Sequence, residues 1–279
     1  MNKKVHQGSG YRLVGNPSTK PVLALIHGVG LNQDMWLPWI PILQPGFCVL
    51  TFDLLGHGQS RNPTGHRTAI DFADQLHELL AHLKVDRLAL AGFSLGALIA
   101  QAFAALHSSR LTHLVLLHSV YQRTEEQCQR VRERYQIARE QGPMATVELA
   151  IARWFSESYR AANPEKMDQL REIFSRHTDD GYLKAYYLFC NAETEMQNYP
   201  LEQVNCPALV ITGADDAGST AAMSEALARD LPNAELIINP RQRHMGPAEF
   251  AEMMANQVLC FLTANGQNQD AQTSMSKPT

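Results

Sequence analysis

The stretch that most constrains this chain is Leu88-Ala-Leu-Ala-Gly92-Phe93-Ser94-Leu95-Gly96-Ala-Leu-Ile-Ala100. Its first four residues are apolar and read as a buried strand; residues 95–106, rich in Ala, Leu and Ile, read as a helix. A chain that passes from strand to helix this abruptly must bend sharply, and Gly92 and Gly96 remove the side chains that would collide at the bend. Ser94 is then held out at the strand's C-terminal end. The first N–H groups of the helix lie behind it, and their partial positive charge favours an anion. The plainer reading of such a serine, a loop hydroxyl satisfied by its neighbours, leaves the strand and helix that meet on it unexplained. Gly-x-Ser-x-Gly alone is a weak signal, so its weight depends on partners elsewhere in the chain.

An aliphatic hydroxyl is a poor nucleophile near neutral pH. It needs a base within hydrogen-bond reach, and the base needs an acid to set its tautomer and stabilise the imidazolium. Two later segments supply both. The apolar run 207–212 reads as a strand and ends in Gly213-Ala214-Asp215-Asp216. A helix over 219–231 and a strand over 234–238 follow, then a loop carrying Arg241, Arg243 and His244, then a last helix over 248–262. His244 is the candidate base and Asp216 the candidate acid, with Asp215 its rival. Arg241 and Arg243 read most simply as solvated loop charges; the sharper reading makes Arg243 a cation that binds a substrate carboxylate.

Upstream, residues 11–14, 21–26 and 47–52 read as strands, 34–43 as a short helix interrupted by Pro38 and Pro41, and 68–84 as a helix with Ile70, Phe72, Ala73, Leu76, Leu79, Leu80 and Leu83 on one face. With the strand over 111–117, strands and helices alternate, which implies a parallel sheet covered by helices on both faces. From Tyr121 to Tyr199 no strand pattern occurs. Helices are expected over 124–141, 144–155, 164–177 and 182–191, an all-helical insertion placed to cover the C-terminal edge of the sheet as a lid. Its aromatics read mainly as packing, with Trp154 the first choice to face a substrate. The expected division is therefore a core over 1–120, a helical lid over 121–200, the second part of the core over 201–264, and a disordered polar tail over 265–279.

Composition closes off other classes. A chain of 279 residues with 45% hydrophobic residues buries a full core. A net charge of −4 lacks the basic excess of a nucleic-acid binder. No apolar run approaches the length of a membrane span, and no apolar segment follows the lysines at the N-terminus as in a secretory signal. The cysteines at 48, 128, 190, 206 and 260 are odd in number and show no Cys-x-x-Cys spacing, which reads as reduced thiols in a cytoplasmic protein. The histidines form no metal-binding spacing, so no metal and no organic cofactor are expected. The expected partner is a small molecule; monomer and homodimer both stay open.

The elbow at Ser94 resembles that of the α/β-hydrolase superfamily, and two further motifs resemble it as well. His27-Gly28-Val29-Gly30 follows a strand, and Asp53-Leu-Leu-Gly56-His57-Gly58-Gln-Ser60 follows the next. The resemblance implies the chain order nucleophile, acid, histidine, which favours Asp216 over Asp215 and excludes Asp53 and His57 from the triad. It implies that the N–H groups of Val29 and Leu95 receive an oxyanion. His27 reads as a brace for its loop, and the Asp53–Ser60 segment as a Gly-rich turn pinned by side chains. Arg243 stands where relatives usually carry glycine. Arg153-Trp154-Phe155, Asn163-Pro164 and Gly181-Tyr182 resemble the lid of the 3-oxoadipate enol-lactonase group. That likeness implies hydrolysis of a small ester or lactone, one bearing a carboxylate. A carbon–carbon bond hydrolase of ring-cleavage products and a non-catalytic ligand-binding protein on the same fold are the alternatives.

Overall fold

A computed structural model describes residues 2–275 and, apart from residue 179, the side chains of residues 2–264. The elements in chain order are β1 (Lys4–His6), β2 (Ser9–Val14), β3 (Val22–Ile26), α1 (Ile40–Leu43), β4 (Cys48–Phe52), α2 (Ala69–His82), β5 (Leu88–Phe93), α3 (Leu95–Leu106) and β6 (Leu111–Leu117). There follow α4 (Glu125–Gln141), α5 (Val147–Trp154), α6 (Glu157–Ala162), α7 (Pro164–Ser175), α8 (Asp179–Cys190) and α9 (Ala192–Glu195). The chain then returns to the sheet with β7 (Ala208–Gly213), α10 (Ala221–Asp230), β8 (Ala234–Asn239), α11 (Gly246–Glu249) and α12 (Ala251–Met275).

The eight strands form one sheet in the order β1-β2-β4-β3-β5-β6-β7-β8. β1 and β2 pair antiparallel, as do β2 and β4; every pair from β4 to β8 is parallel. The parallel strands explain their own composition. β3, β4, β5 and β7 are buried along their whole length, which is why they read as unbroken apolar runs rather than alternating ones. β8 closes the edge and carries the exposed Glu235, a charge that discourages further pairing.

Local sequence accounts for most element ends. Thr68 and Asp71 form a capping box at the start of α2. Ile70, expected on its buried face, is 41% exposed. Pro38 splits the helix expected over 34–43 into a 3₁₀ turn at Gln33–Trp36 and the short α1, where Pro41 occupies the first turn that tolerates it. β1 and α6 carry no signal strong enough to have been expected; each is short and held by its neighbours. The expected last helix divides at Phe250 into α11 and α12. The disordered tail expected over 265–279 is instead helical as far as Met275, where α12 ends, and residues 276–279 lie outside the described residues.

No strand interrupts the segment between β6 and β7 among the described residues. Arg123 ties its beginning to its end: Nε and Nη2 each donate to the Glu193 carboxylate at 2.7 Å, and Nη2 also donates to the Phe189 carbonyl at 2.7 Å. The insertion is seated on the core by backbone. The Met245 N–H donates to the Trp154 carbonyl at 2.9 Å. The N-terminal end of α8 meets the turn after β4 so closely that a Cβ on Gly56 would lie 2.8 Å from Gly181 Cα, and one on Gly181 would lie 2.6 Å from the Gly56 carbonyl oxygen.

The elbow is closely packed. A Cβ on Gly96 would lie 2.4 Å from the Ile26 carbonyl oxygen, and one on Gly92 would lie 2.1 Å from the Gly96 carbonyl oxygen. α3 therefore starts directly against the end of β3. Gly96→Ala is expected to destabilise the fold by about 3 kcal/mol, the upper part of the usual overpacking range, because backbone and not a flexible side chain must yield. Urea unfolding of the variant beside the parent checks this.

Candidate active site

Ser94 has φ +55° and ψ −115°, a backbone conformation that L-residues avoid, and it is buried. Such a conformation costs on the order of 1–3 kcal/mol and persists only where surroundings enforce it. Here they do: the Ser94 N–H donates to the Leu117 carbonyl of β6 at 2.9 Å, and its carbonyl accepts from the Ala97 N–H at 2.9 Å in the first turn of α3.

The loop after β8 brings His244 to this serine. His244 Nε2 lies 3.1 Å from Ser94 Oγ, and His244 Nδ1 lies 2.7 Å from Asp216 Oδ2. Asp216 follows β7, and its other oxygen, Oδ1, accepts from the backbone N–H groups of Gly218 at 2.8 Å and Ser219 at 2.9 Å. The rival Asp215 is exposed and only its backbone participates, donating to the Gln242 carbonyl. An ionised carboxylate only accepts hydrogen bonds, so Nδ1 of His244 carries the hydrogen and Nε2 is free to accept the serine proton. Burial pushes the Asp216 carboxyl up, but the charge of His244 and the hydrogen bonds from His118 and His244 outweigh it and leave the group well below the carboxylate range.

His118 is the residue that sequence reasoning passed over. It directly follows β6, is fully buried, has φ +50°, and places Nδ1 2.8 Å from Asp216 Oδ2, the same oxygen that faces His244. A histidine that serves a carboxylate from a later strand carries no local signature. The ligand atoms of His118, Asp216 and His244 lie within 4.8 Å of one another, a separation that a metal could also use. Both Nδ1 atoms face the carboxylate as hydrogen donors, which leaves them no lone pair for a cation.

Val29 lies in the loop after β3 and lines the same cavity as Ser94 and His244; Leu95 opens α3. Neither N–H donates to another group among the described residues. The next N–H, of Gly30, is taken by His57 Nε2 at 3.1 Å. His27 Nε2 accepts from the Leu54 N–H at 2.9 Å while Nδ1 donates to the Gly28 carbonyl at 2.7 Å, so this ring braces the loop that carries Val29. Asp53 accepts from the Gln33 backbone and side-chain amides and from the Gln59 N–H, each at 2.9 Å, and pins the turn below it.

The insertion supplies most of the cavity wall. Trp154 lies in its wall, with its ring centroid 6.0 Å from that of His244. Arg243 is not in the wall. Its Nη1 donates to the carbonyls of Ala152 at 2.9 Å and Phe155 at 3.1 Å, so it caps the C-terminal end of α5 instead of reaching a substrate. Arg243, expected to bind a substrate carboxylate, is thus engaged by the carbonyls at the end of α5. The cations of the cavity come from the insertion, Arg153 on α5 and Arg134 on α4, with Thr146, Tyr182 and Tyr186 beside them. Neither arginine forms an ion pair among the described residues. Burial and the neighbouring Arg134 both work against the charge on Arg153, with Tyr186 and Asp216 opposing.

Burial also lowers the pKa of His27, to about 4, and of His57 and His118. These rings fold neutral and take up protons more readily once unfolded. Their contribution to stability is complete above the unfolded value of 6.5 and is lost as pH falls from there toward about 4. The urea midpoint is expected to be level from pH 8 to 7 and to drop steadily between pH 6.5 and 4; equal midpoints at pH 8 and pH 5 would contradict it.

Residues 21–249 match the family described as alpha/beta hydrolase fold. The (E)-2-((N-methylformamido)methylene)succinate hydrolase of Acinetobacter baylyi is 31% identical over 225 residues, 80% of this chain and 83% of that protein. The 3-oxoadipate enol-lactonase 2 of the same organism is 27% identical over 217 residues, 78% of this chain and 79% of that protein. The crystal structure of the enol-lactonase from Burkholderia xenovorans superposes with a TM-score of 0.85 at 27% identity, covering 94% of this chain and all of that one.

Proposed function

The chain belongs to the α/β-hydrolase fold family, and from that premise we propose that it is a serine hydrolase of small carboxylic esters or lactones that bear a carboxylate. The observation that carries the reading is the continuous relay from Ser94 Oγ through His244 to Asp216, at 3.1 Å and 2.7 Å. His244 Nε2 takes the Ser94 proton as Oγ attacks the carbonyl carbon, and Asp216 stabilises the imidazolium. The N–H groups of Val29 and Leu95 receive the oxyanion, each worth about 3 kcal/mol of barrier. The imidazolium then protonates the leaving oxygen. His244 removes a proton from water, the hydroxide attacks the acyl-enzyme, and Ser94 leaves with its proton restored. Neither step calls on a metal or an organic cofactor.

The carboxylate enters the reading through Arg153 and Arg134. Two guanidinium groups that repel one another beside a buried serine are costly unless an anion joins them. Succinate and oxoadipate, in the names of the two relatives, are carboxylates as well. The cavity at Ser94 is narrow, about 40 Å³, and most of its wall comes from the helical insertion, which supports reading the insertion as a lid. Among the described residues no helix is long and apolar enough to cross a membrane, and all five cysteines are free thiols, in keeping with a cytoplasmic enzyme.

Two measurements test the reading. Ser94→Ala is expected to abolish hydrolysis of p-nitrophenyl butyrate and of mono-p-nitrophenyl succinate; full turnover by the variant would sink the proposal. Arg153→Gln is expected to raise KM for the succinate monoester by roughly ten- to a hundredfold, the loss of a hydrogen bond to a charged group, while leaving the butyrate ester nearly unchanged. Serine-dependent loss of the chromophore of a ring-cleavage dienoate, with no ester turnover, would move the assignment to carbon–carbon hydrolysis.

A further inference from the structure

Asp216 serves two imidazoles, and the reaction above uses one. Its four acceptor sites are all taken: Oδ1 by the N–H groups of Gly218 and Ser219, Oδ2 by His118 and His244. We propose that His118 is a positioning residue, donating from Nδ1 to Oδ2 so as to fix the carboxylate and to divide its hold on the imidazolium that His244 becomes. The inference rests on the triad reading and concerns how that triad is tuned.

The surroundings of His118 are built for this ring. Its N–H donates to the Ile211 carbonyl of β7 at 2.8 Å, which anchors it beside the strand that ends in Asp216. Its φ of +50° is maintained at full burial. Phe93 packs edge-on at 5.8 Å, and His244 lies 5.6 Å away at 79° between ring planes. On the far side a Cβ at Gly246 would lie 3.0 Å from His118 Nε2, so the glycine leaves the ring its room.

The tautomer follows from the same contacts. Oδ2 is an acceptor, so the hydrogen of His118 is on Nδ1. Nε2 then carries no hydrogen, in keeping with its lack of a partner among the described residues. The charged or titratable groups that face the pair are Asp216 and His244 themselves, together with Arg153, whose charge reaches Asp216. Burial holds His118 in its neutral form against the pull of Asp216. A neutral donor at Oδ2 takes a share of the carboxylate's charge that would otherwise stabilise the His244 imidazolium. Removing it strengthens that stabilisation, so the acid limb of any reaction that needs neutral His244 moves to higher pH. The carboxylate also loses a restraint, and the plateau rate falls.

The probe is the second-order rate of Ser94 phosphonylation by a fluorophosphonate between pH 4 and 9. For His118→Leu the acid limb is expected at higher pH than in the parent, with a plateau lower on the order of tenfold, the size usual for partners that orient a catalytic ligand. His118→Asn, whose amide offers a donor close to the place of Nδ1, is expected to restore both limb and plateau. A parental profile in His118→Leu, or an His118→Asn profile that follows His118→Leu, overturns the proposal. Imidazole ¹⁵N resonances of the parent protein decide it without a variant: His118 protonated on Nδ1 and bare on Nε2 is expected, and a hydrogen on Nε2 overturns it. Labelling of Ser94→Ala at the parental rate would instead overturn the triad reading itself.

Discussion

Everything at the catalytic edge depends on how closely α3 approaches β3. The first turn of α3 lies against the Ile26 carbonyl with no space for a methyl group at Gly96, and the bend closes on itself with none at Gly92. That contact enforces the positive φ on Ser94, immediately before the first residue of α3. It also sets the distance to the loop that follows β3, where Val29 resides. His27 and His57 stiffen this loop through Leu54, Gly28 and Gly30. The strain at one serine is thus held by two strands, one helix and two neutral imidazoles.

The other half of the site is an electrostatic arrangement on neighbouring strands. β6, β7 and β8 lie side by side, and the residues just beyond their C-terminal ends are His118, Asp216 and the loop carrying His244. A parallel sheet brings these ends to one edge although nearly a hundred residues separate His118 from Asp216 in the chain. Asp216 stays ionised in a buried place because four donors surround it. The histidines that brace the site stay neutral because nothing comparable surrounds them.

The parts legible in the sequence were those with local causes. The abrupt strand–helix junction at Gly92–Gly96 marked Ser94, and apolar runs marked the parallel strands. Asp216 and His244 were candidates because each follows a recognisable strand, and a serine nucleophile calls for an acid and a base. His118 was visible as a residue but not as a participant, since only the adjacency of β6 to β7 brings it to Asp216. Arg243 suggested a substrate cation because the chain places it beside His244; only the fold shows that its guanidinium donates to the carbonyls at the end of α5. Arg134 had no signal at all, being one of four arginines on a polar helix.

By itself the sequence determined the order of strands and helices, the elbow, the triad candidates and the presence of a helical insertion, because short-range sterics and hydrophobic periodicity act between residues close in the chain. Only the tertiary structure decided which arginines face the serine, how much of the cavity wall the insertion supplies, and that two histidines share one carboxylate oxygen. Those outcomes depend on distances between segments that the chain separates widely. They are set by the register of the sheet and the seating of Gly181 on Gly56, which no local pattern encodes.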